Sequence, residues 1–118
     1  LVAPYMKPLT EMVVEYIRSE GFEVVDYRAL EIPDNLEVGR RDPALLPAIV
    51  AQMDTSKVDA IVLSACVQMP SLPAVSQVEA MTGKPVVTAA IATTYAMLKK
   101  LELEAYVPGA GALLSGAY

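Results

Sequence analysis

The sequence predicts an α/β fold, a parallel sheet flanked by helices, and three observations carry that reading. Short apolar runs alternate with amphipathic segments along the 118 residues. The runs are rich in β-branched residues, and proline or glycine separates them from the segments around them. The intervening segments are long enough for the helical crossovers that parallel strands require.

Each element follows in order. Leu1-Val2-Ala3, then Pro4, reads as the end of a strand whose beginning is absent, as expected of one part of a longer protein. Pro8 to Ser19 reads as a helix: Leu9, Met12, Val13, Tyr16 and Ile17 recur at three- and four-residue steps on one face. Pro8 suits its first turn and Gly21 its C-terminal stop. Phe22 to Tyr27, β-branched and aromatic, reads as the second strand. Ile32 to Arg41 reads as a polar loop, with Pro33, Asp34, Asn35 and Gly39, long enough to have a function. Asp42-Pro43, an N-cap with proline at the first helical position, opens a helix to about Met53. Ala60 to Leu63 is the third strand, ending at Ser64. Pro73 to Met81 is a helix stopped by Gly83, and Pro85 to Thr88 a short fourth strand. Ala90 to Leu101 is the last clear helix, with Leu98 and Leu101 toward the core and Lys99 and Lys100 at its C-terminal end.

Residues 1–101 therefore read as one lobe, and residues 102–118 as something different. The tail is apolar and glycine-rich with little charge, which suits packing on a missing lobe or a partner chain. Four strands alternating with helices imply right-handed crossovers and a flavodoxin-like, three-layer lobe with a four-stranded parallel sheet of order 2-1-3-4.

Composition narrows the function. Hydrophobic residues make up 54% and charged residues 19%, so disorder is not expected. The apolar runs are far shorter than the roughly 20 residues of a membrane span. A net charge of −5 argues against a nucleic-acid partner, which needs a basic face. One cysteine makes no internal disulfide, so the expected compartment is the cytoplasm. With no histidine, the Cys–His and Ser–His pairs and the commonest metal ligand are absent. The acid/base candidates left are Cys66, the tyrosines, the lysines and the carboxylates.

Cys66 follows the third strand, where parallel sheets bind ligands. A helix starts a few residues later, and a thiol near a helix N-terminus can have its pKa lowered from about 8.5 into the range of about 3.5–7.5. The plainer reading is a small buried hydrophobe. Other polar groups also follow strands: Tyr5 the first, Asn35 the second, Val67 and Gln68 the third, Thr88 the fourth. Together they offer a phenol, an amide, a thiol, a hydroxyl and backbone N–H groups, a set suited to a small carboxylate held by neutral donors. Taken singly, Tyr5 reads equally as a loop-packing phenol and Asn35 as a turn former. Arg40 and Arg41 read as a solvated pair beside Asp42, with approach to a dianion as the alternative.

The run Ser64-Ala-Cys66-Val-Gln-Met-Pro-Ser-Leu72 resembles the second cysteine motif of the maleate cis–trans isomerases. These belong to the aspartate/glutamate racemase superfamily, with arylmalonate decarboxylases and hydantoin racemases. Pro4-Tyr5-Met6-Lys7-Pro8-Leu9-Thr10, the Pro33-Asp34-Asn35 loop, residues 85–90 and Ala92-Thr-Thr-Tyr95 resemble that family too. The resemblance implies two flavodoxin-like lobes facing each other across the substrate, each supplying one cysteine, with this chain as the second lobe. It implies cofactor-free isomerisation of maleate to fumarate through a succinyl-cysteine type of intermediate. The nucleophile would be the first-lobe cysteine and Cys66 the opposing acid/base. Tyr5 and Asn35 match substrate-binding positions, the N–H groups of Val67 and Gln68 would hold a carboxylate, and Thr88 is a weaker match. The expected partners are a small dicarboxylate and the missing first lobe, or a second copy of this chain in its place. A racemase, a decarboxylase, or a non-catalytic flavodoxin-like module with a buried thiol remain the other readings.

Overall fold

A computed structural model describes all residues, Leu1–Tyr118. It is an α/β arrangement with two small parallel sheets. β1 (Val2–Ala3) pairs with β2 (Arg28–Ala29), and β3 (Ile61–Ser64) with β4 (Val86–Thr88). The Ala65 N–H donates to the Val2 carbonyl at 3.0 Å, so the end of β3 meets β1. Val2, Leu46, Leu63, Val75, Val78 and Val86 sit at the centre of one core.

The second strand lies later than its composition suggests. Residues 22–27 are not a strand; the pairing with β1 falls on Arg28 and Ala29 instead. The Leu1 amine donates to the Asp26 carbonyl at 2.9 Å and the Arg28 N–H to the Leu1 carbonyl at 2.8 Å. With Val2 opposite Arg28, residues 22–25 face no residue of β1. Phe22 is 69% exposed, and Phe22, Val24, Val58, Ala60 and Val62 line an apolar groove of about 390 Å³.

The first helix, α1 (Lys7–Ser19), has its proline in the first turn as expected. Its covered face is rotated from the one the apolar spacing suggests. Thr10 and Val14 are buried, Val13 and Ile17 half-buried, while Leu9, Met12 and Tyr16 are exposed. Thr10 satisfies its hydroxyl by donating to the Tyr5 and Met6 carbonyls, both at 3.3 Å.

The expected loop at 32–41 contains a short helix, α2 (Asn35–Arg40). Asp34 starts it, its Oδ1 accepting from the Leu36 N–H at 2.8 Å. Burial of Val38 in the core anchors it. The next expected helix is broken instead: a 3-10 turn at Pro43–Leu45, then α3 (Leu46–Val50). Asp42 caps the turn as expected, accepting from the Ala44 N–H at 2.9 Å. Pro47 has no N–H to return to Pro43, so a continuous α-helix cannot run through it.

The second half follows its sequence closely. α4 (Leu72–Thr82) ends at Gly83, whose φ of 66° is the left-handed cap that favours glycine. α5 (Ala89–Lys100) carries Lys99 and Lys100 in its last turn. Leu98 packs on the core, but Leu101 is 61% exposed, since it is the residue at which the helix ends.

Within the tail, Ala105, Ala110 and Leu114 lie in this chain's own core. Residues Ala112–Leu114 form a 3-10 turn. Glu79 ties the tail to the sheet: its Oε1 accepts from Ala112 N–H at 2.9 Å and from Val86 N–H at 3.0 Å. Gly111 passes so near α4 that a Cβ there would lie 2.6 Å from Val75 Cγ1. No helix is long and apolar enough to cross a membrane.

Candidate active site

The site is built on the C-terminal end of β3. The β3–β4 register slips between Val62 and Ser64, Ser64 pairs with Thr88, and β3 ends there, two residues before the cysteine. Ser64 is fully buried, and its hydroxyl donates to the Cys66 carbonyl at 2.6 Å and accepts from the Cys66 N–H at 3.3 Å. Cys66 is a free, half-buried thiol packed partly against the core.

Tyr5 stands beside it, on the loop after β1. Burial, and after it the neighbouring Cys66 thiol, raise the Tyr5 pKa above its ordinary value near 10. Thr10 helps hold this turn through its bond to the Tyr5 carbonyl. The phenol therefore keeps its proton at neutral pH and is available as a neutral donor.

Asn35 is the first residue of α2, not a loop residue. Its carbonyl accepts from the Gln68 side-chain Nε2 at 2.5 Å, which fastens the cysteine loop to α2. The Asn35 side-chain amide makes no hydrogen bond within the chain. The N–H groups of Val67 and Gln68 have no partner within the chain either. Successive free N–H groups of this kind favour an anion. Val67 is 68% exposed.

Thr88 is buried and caps α5, its Oγ1 accepting from the Ile91 N–H at 3.1 Å. Its oxygen is thereby engaged in the fold. Thr88 and Val67 both line a pocket of about 270 Å³, with Met69, Leu72 and Thr94. The structure thus joins Tyr5 to Cys66 and Asn35 to Gln68, and sets Val67 and Thr88 on one pocket.

The arginines differ from their expected solvated pairing. Arg40 is exposed, but Arg41 is half-buried, with a buried Nε that has no partner. Neither forms an ion pair with Asp42, whose carboxylate is taken up by its capping bond. No group of three or more His, Cys, Asp or Glu side chains is placed to hold a metal ion.

Sequence reasoning missed Ser64 and Thr10. The available signal was a polar residue at a position that the strand or helix pattern buries: Ser64 closing an apolar strand, and Thr10 one turn before Val14.

Comparison with known proteins identifies the family. The sequence profile of the arylmalonate decarboxylase family matches residues 1–114. The chain is similar to maleate isomerase from Pseudomonas putida KT2440, 79% identical over 118 residues, all of this chain and 47% of that protein. It is similar to the crystal structure of a cysteine-to-alanine variant of maleate isomerase from Pseudomonas putida S16 with maleate, at 67% identity and a TM-score of 0.98, over 99% of this chain and 47% of that one. A cysteine-to-serine variant of Nocardia farcinica maleate cis–trans isomerase, with a covalently bound succinylcysteine intermediate, is 49% identical with a TM-score of 0.95, over 99% of this chain and 48% of that one. The chain spans about half the length of the relatives it matches. An α/β architecture with short parallel strands, a lone thiol at a strand end and a family match over nearly the whole chain lead to one conclusion: this chain belongs to the arylmalonate decarboxylase family.

Proposed function

We propose that this chain is the acid/base half of a maleate cis–trans isomerase, whose other half lies in polypeptide outside these 118 residues. The observation that carries the reading is the juxtaposition of a half-buried Cys66, a protonated Tyr5 and the unpartnered N–H groups of Val67 and Gln68. Identity of 79% to a named maleate isomerase supports it. In this reading the four strands form one sheet of order 2-1-3-4, supported by the Ala65–Val2 hydrogen bond between the two pairs. The tail's large exposed apolar side chains, Leu103, Tyr106 and Tyr118, face the missing half in this reading.

The chemistry follows from the alkene. A cysteine thiolate from the other half adds to one carbon of maleate, forming a C–S bond, and the electron pair of the double bond moves to the neighbouring carbon. The Cys66 thiol gives that carbon its proton. The central bond is then single and turns by half a rotation. The Cys66 thiolate takes a proton back, the C–S bond breaks, and fumarate and the first thiolate are released. One carboxylate rests on the Val67 and Gln68 N–H groups and the Asn35 amide, and Tyr5 donates to a carboxylate oxygen. Thr88 contributes its hydroxyl proton, since only its oxygen serves the helix cap. No step requires a cofactor.

The family profile favours one second reading, in which Cys66 gives its proton to an enediolate left by decarboxylation. Proton NMR of the longer protein with maleate and, separately, with phenylmalonate separates the two. The isomerase reading expects fumarate from maleate. Loss of carbon dioxide from phenylmalonate with maleate untouched contradicts it.

A further inference from the structure

We propose that Ser64 is a positioning residue for Cys66, setting the direction in which the thiol is presented. β3 ends at Ser64, which still pairs with Thr88 after the register slip, so ladder pairing does not reach residue 66 to fix the chain there. The Ser64 hydroxyl takes over that task. It accepts from the Cys66 N–H and donates to the Cys66 carbonyl, holding both peptide planes that flank one Cα. Two fixed planes set the Cα–Cβ direction, and the thiol is left beside Tyr5. An alanine here would leave both Cys66 backbone groups without that partner, and the sulfur would sample other directions.

For the step assigned to Cys66 this rests on the isomerase reading; for the orientation of the thiol it does not. The test uses both levels. Cys66 is the only cysteine of the chain, so alkylation by iodoacetamide, followed by intact mass, reports on it alone. Ser64→Ala is expected to react about fivefold faster than wild type in the folded 118-residue chain, the factor set by the net worth of one hydrogen bond. Ser64→Thr keeps the hydroxyl and should react like wild type, whereas Ser64→Val has the threonine shape without it and should react like the alanine variant. The threonine–valine pair decides the matter even if the alanine variant does not fold. A purely structural serine predicts lowered melting temperatures with equal alkylation rates in the folded variants, and that result overturns the proposal.

In the longer protein with maleate, Ser64→Val should lower kcat several-fold with little change in KM, and Ser64→Thr should restore it. An unchanged kcat in Ser64→Val likewise overturns the proposal. If the wild-type longer protein forms no fumarate, it is the isomerase reading that fails, and the alkylation series still decides the role of Ser64.

Discussion

Tyr5 keeps its proton well into alkaline solution, because burial and the adjacent Cys66 both oppose the phenolate. A raised folded pKa has a definite sign in stability. The stabilisation is fully present below the unfolded value near 10 and is lost as pH rises through the higher folded value. Ultraviolet difference titration of wild type against Tyr5→Phe should therefore show one phenol ionising above 10. A phenol titrating at or below that value contradicts the contact with Cys66. Single residues were partly legible. Cys66 stands out in the sequence as a lone thiol after an apolar strand, and Tyr5, Asn35, Val67 and Gln68 as residues after strands, whereas Thr88 closes β4 and caps α5. Ser64 was not legible, since a serine that closes a strand looks like an ordinary turn residue until its two bonds to Cys66 are seen.

At the level of elements, two joints hold the site's surroundings. Asp34 caps α2, and Gln68 fastens α2 to the cysteine loop. Asp34→Ala should lower stability by about 1 kcal/mol, the usual loss for an N-cap, as measured by urea unfolding. The tail joint is stiffer. Gly111 has a φ of 83°, and a Cβ there meets Val75 at 2.6 Å, so Gly111→Ala combines backbone strain with overpacking. It should cost about 2–4 kcal/mol in the same assay. A loss below about 0.5 kcal/mol would mean that the tail does not dock on α4, since surface substitutions fall in that range. Elements with strong local punctuation were read correctly: α1 from Pro8 and Gly21, α4 from Gly83, α5 from its terminal lysines. Those decided by distant partners were not. Residues 22–27 have strand composition but lie before the β1–β2 pairing, and α2 depends on the burial of Val38.

At the scale of the whole molecule, the proposed isomerase reading makes this chain half a site. In that reading it supplies one thiol and one set of carboxylate donors, and the chemistry needs a second cysteine. The isolated chain should form no fumarate from maleate above the buffer rate, by NMR at millimolar substrate. Activity in the isolated chain together with a dimer in sedimentation would mean that a second copy takes the place of the other half. The chain spans about half the length of the relatives it matches. The exposed face of α1, with Leu9, Met12 and Tyr16 uncovered, could not be foreseen, because the helix period shows which residues are apolar but not which neighbour covers them.

The most direct measurement is intact mass and peptide mapping of the longer protein, wild type and Cys66→Ser, after mixing with maleate. The account predicts a succinyl adduct in the Cys66→Ser variant on a cysteine outside these 118 residues, with fumarate formation slowed by about 10²–10⁴-fold, the range for loss of a general acid–base group. An adduct on Cys66 itself in the wild type, or fumarate formed at the wild-type rate by Cys66→Ser, would contradict the role assigned to Cys66.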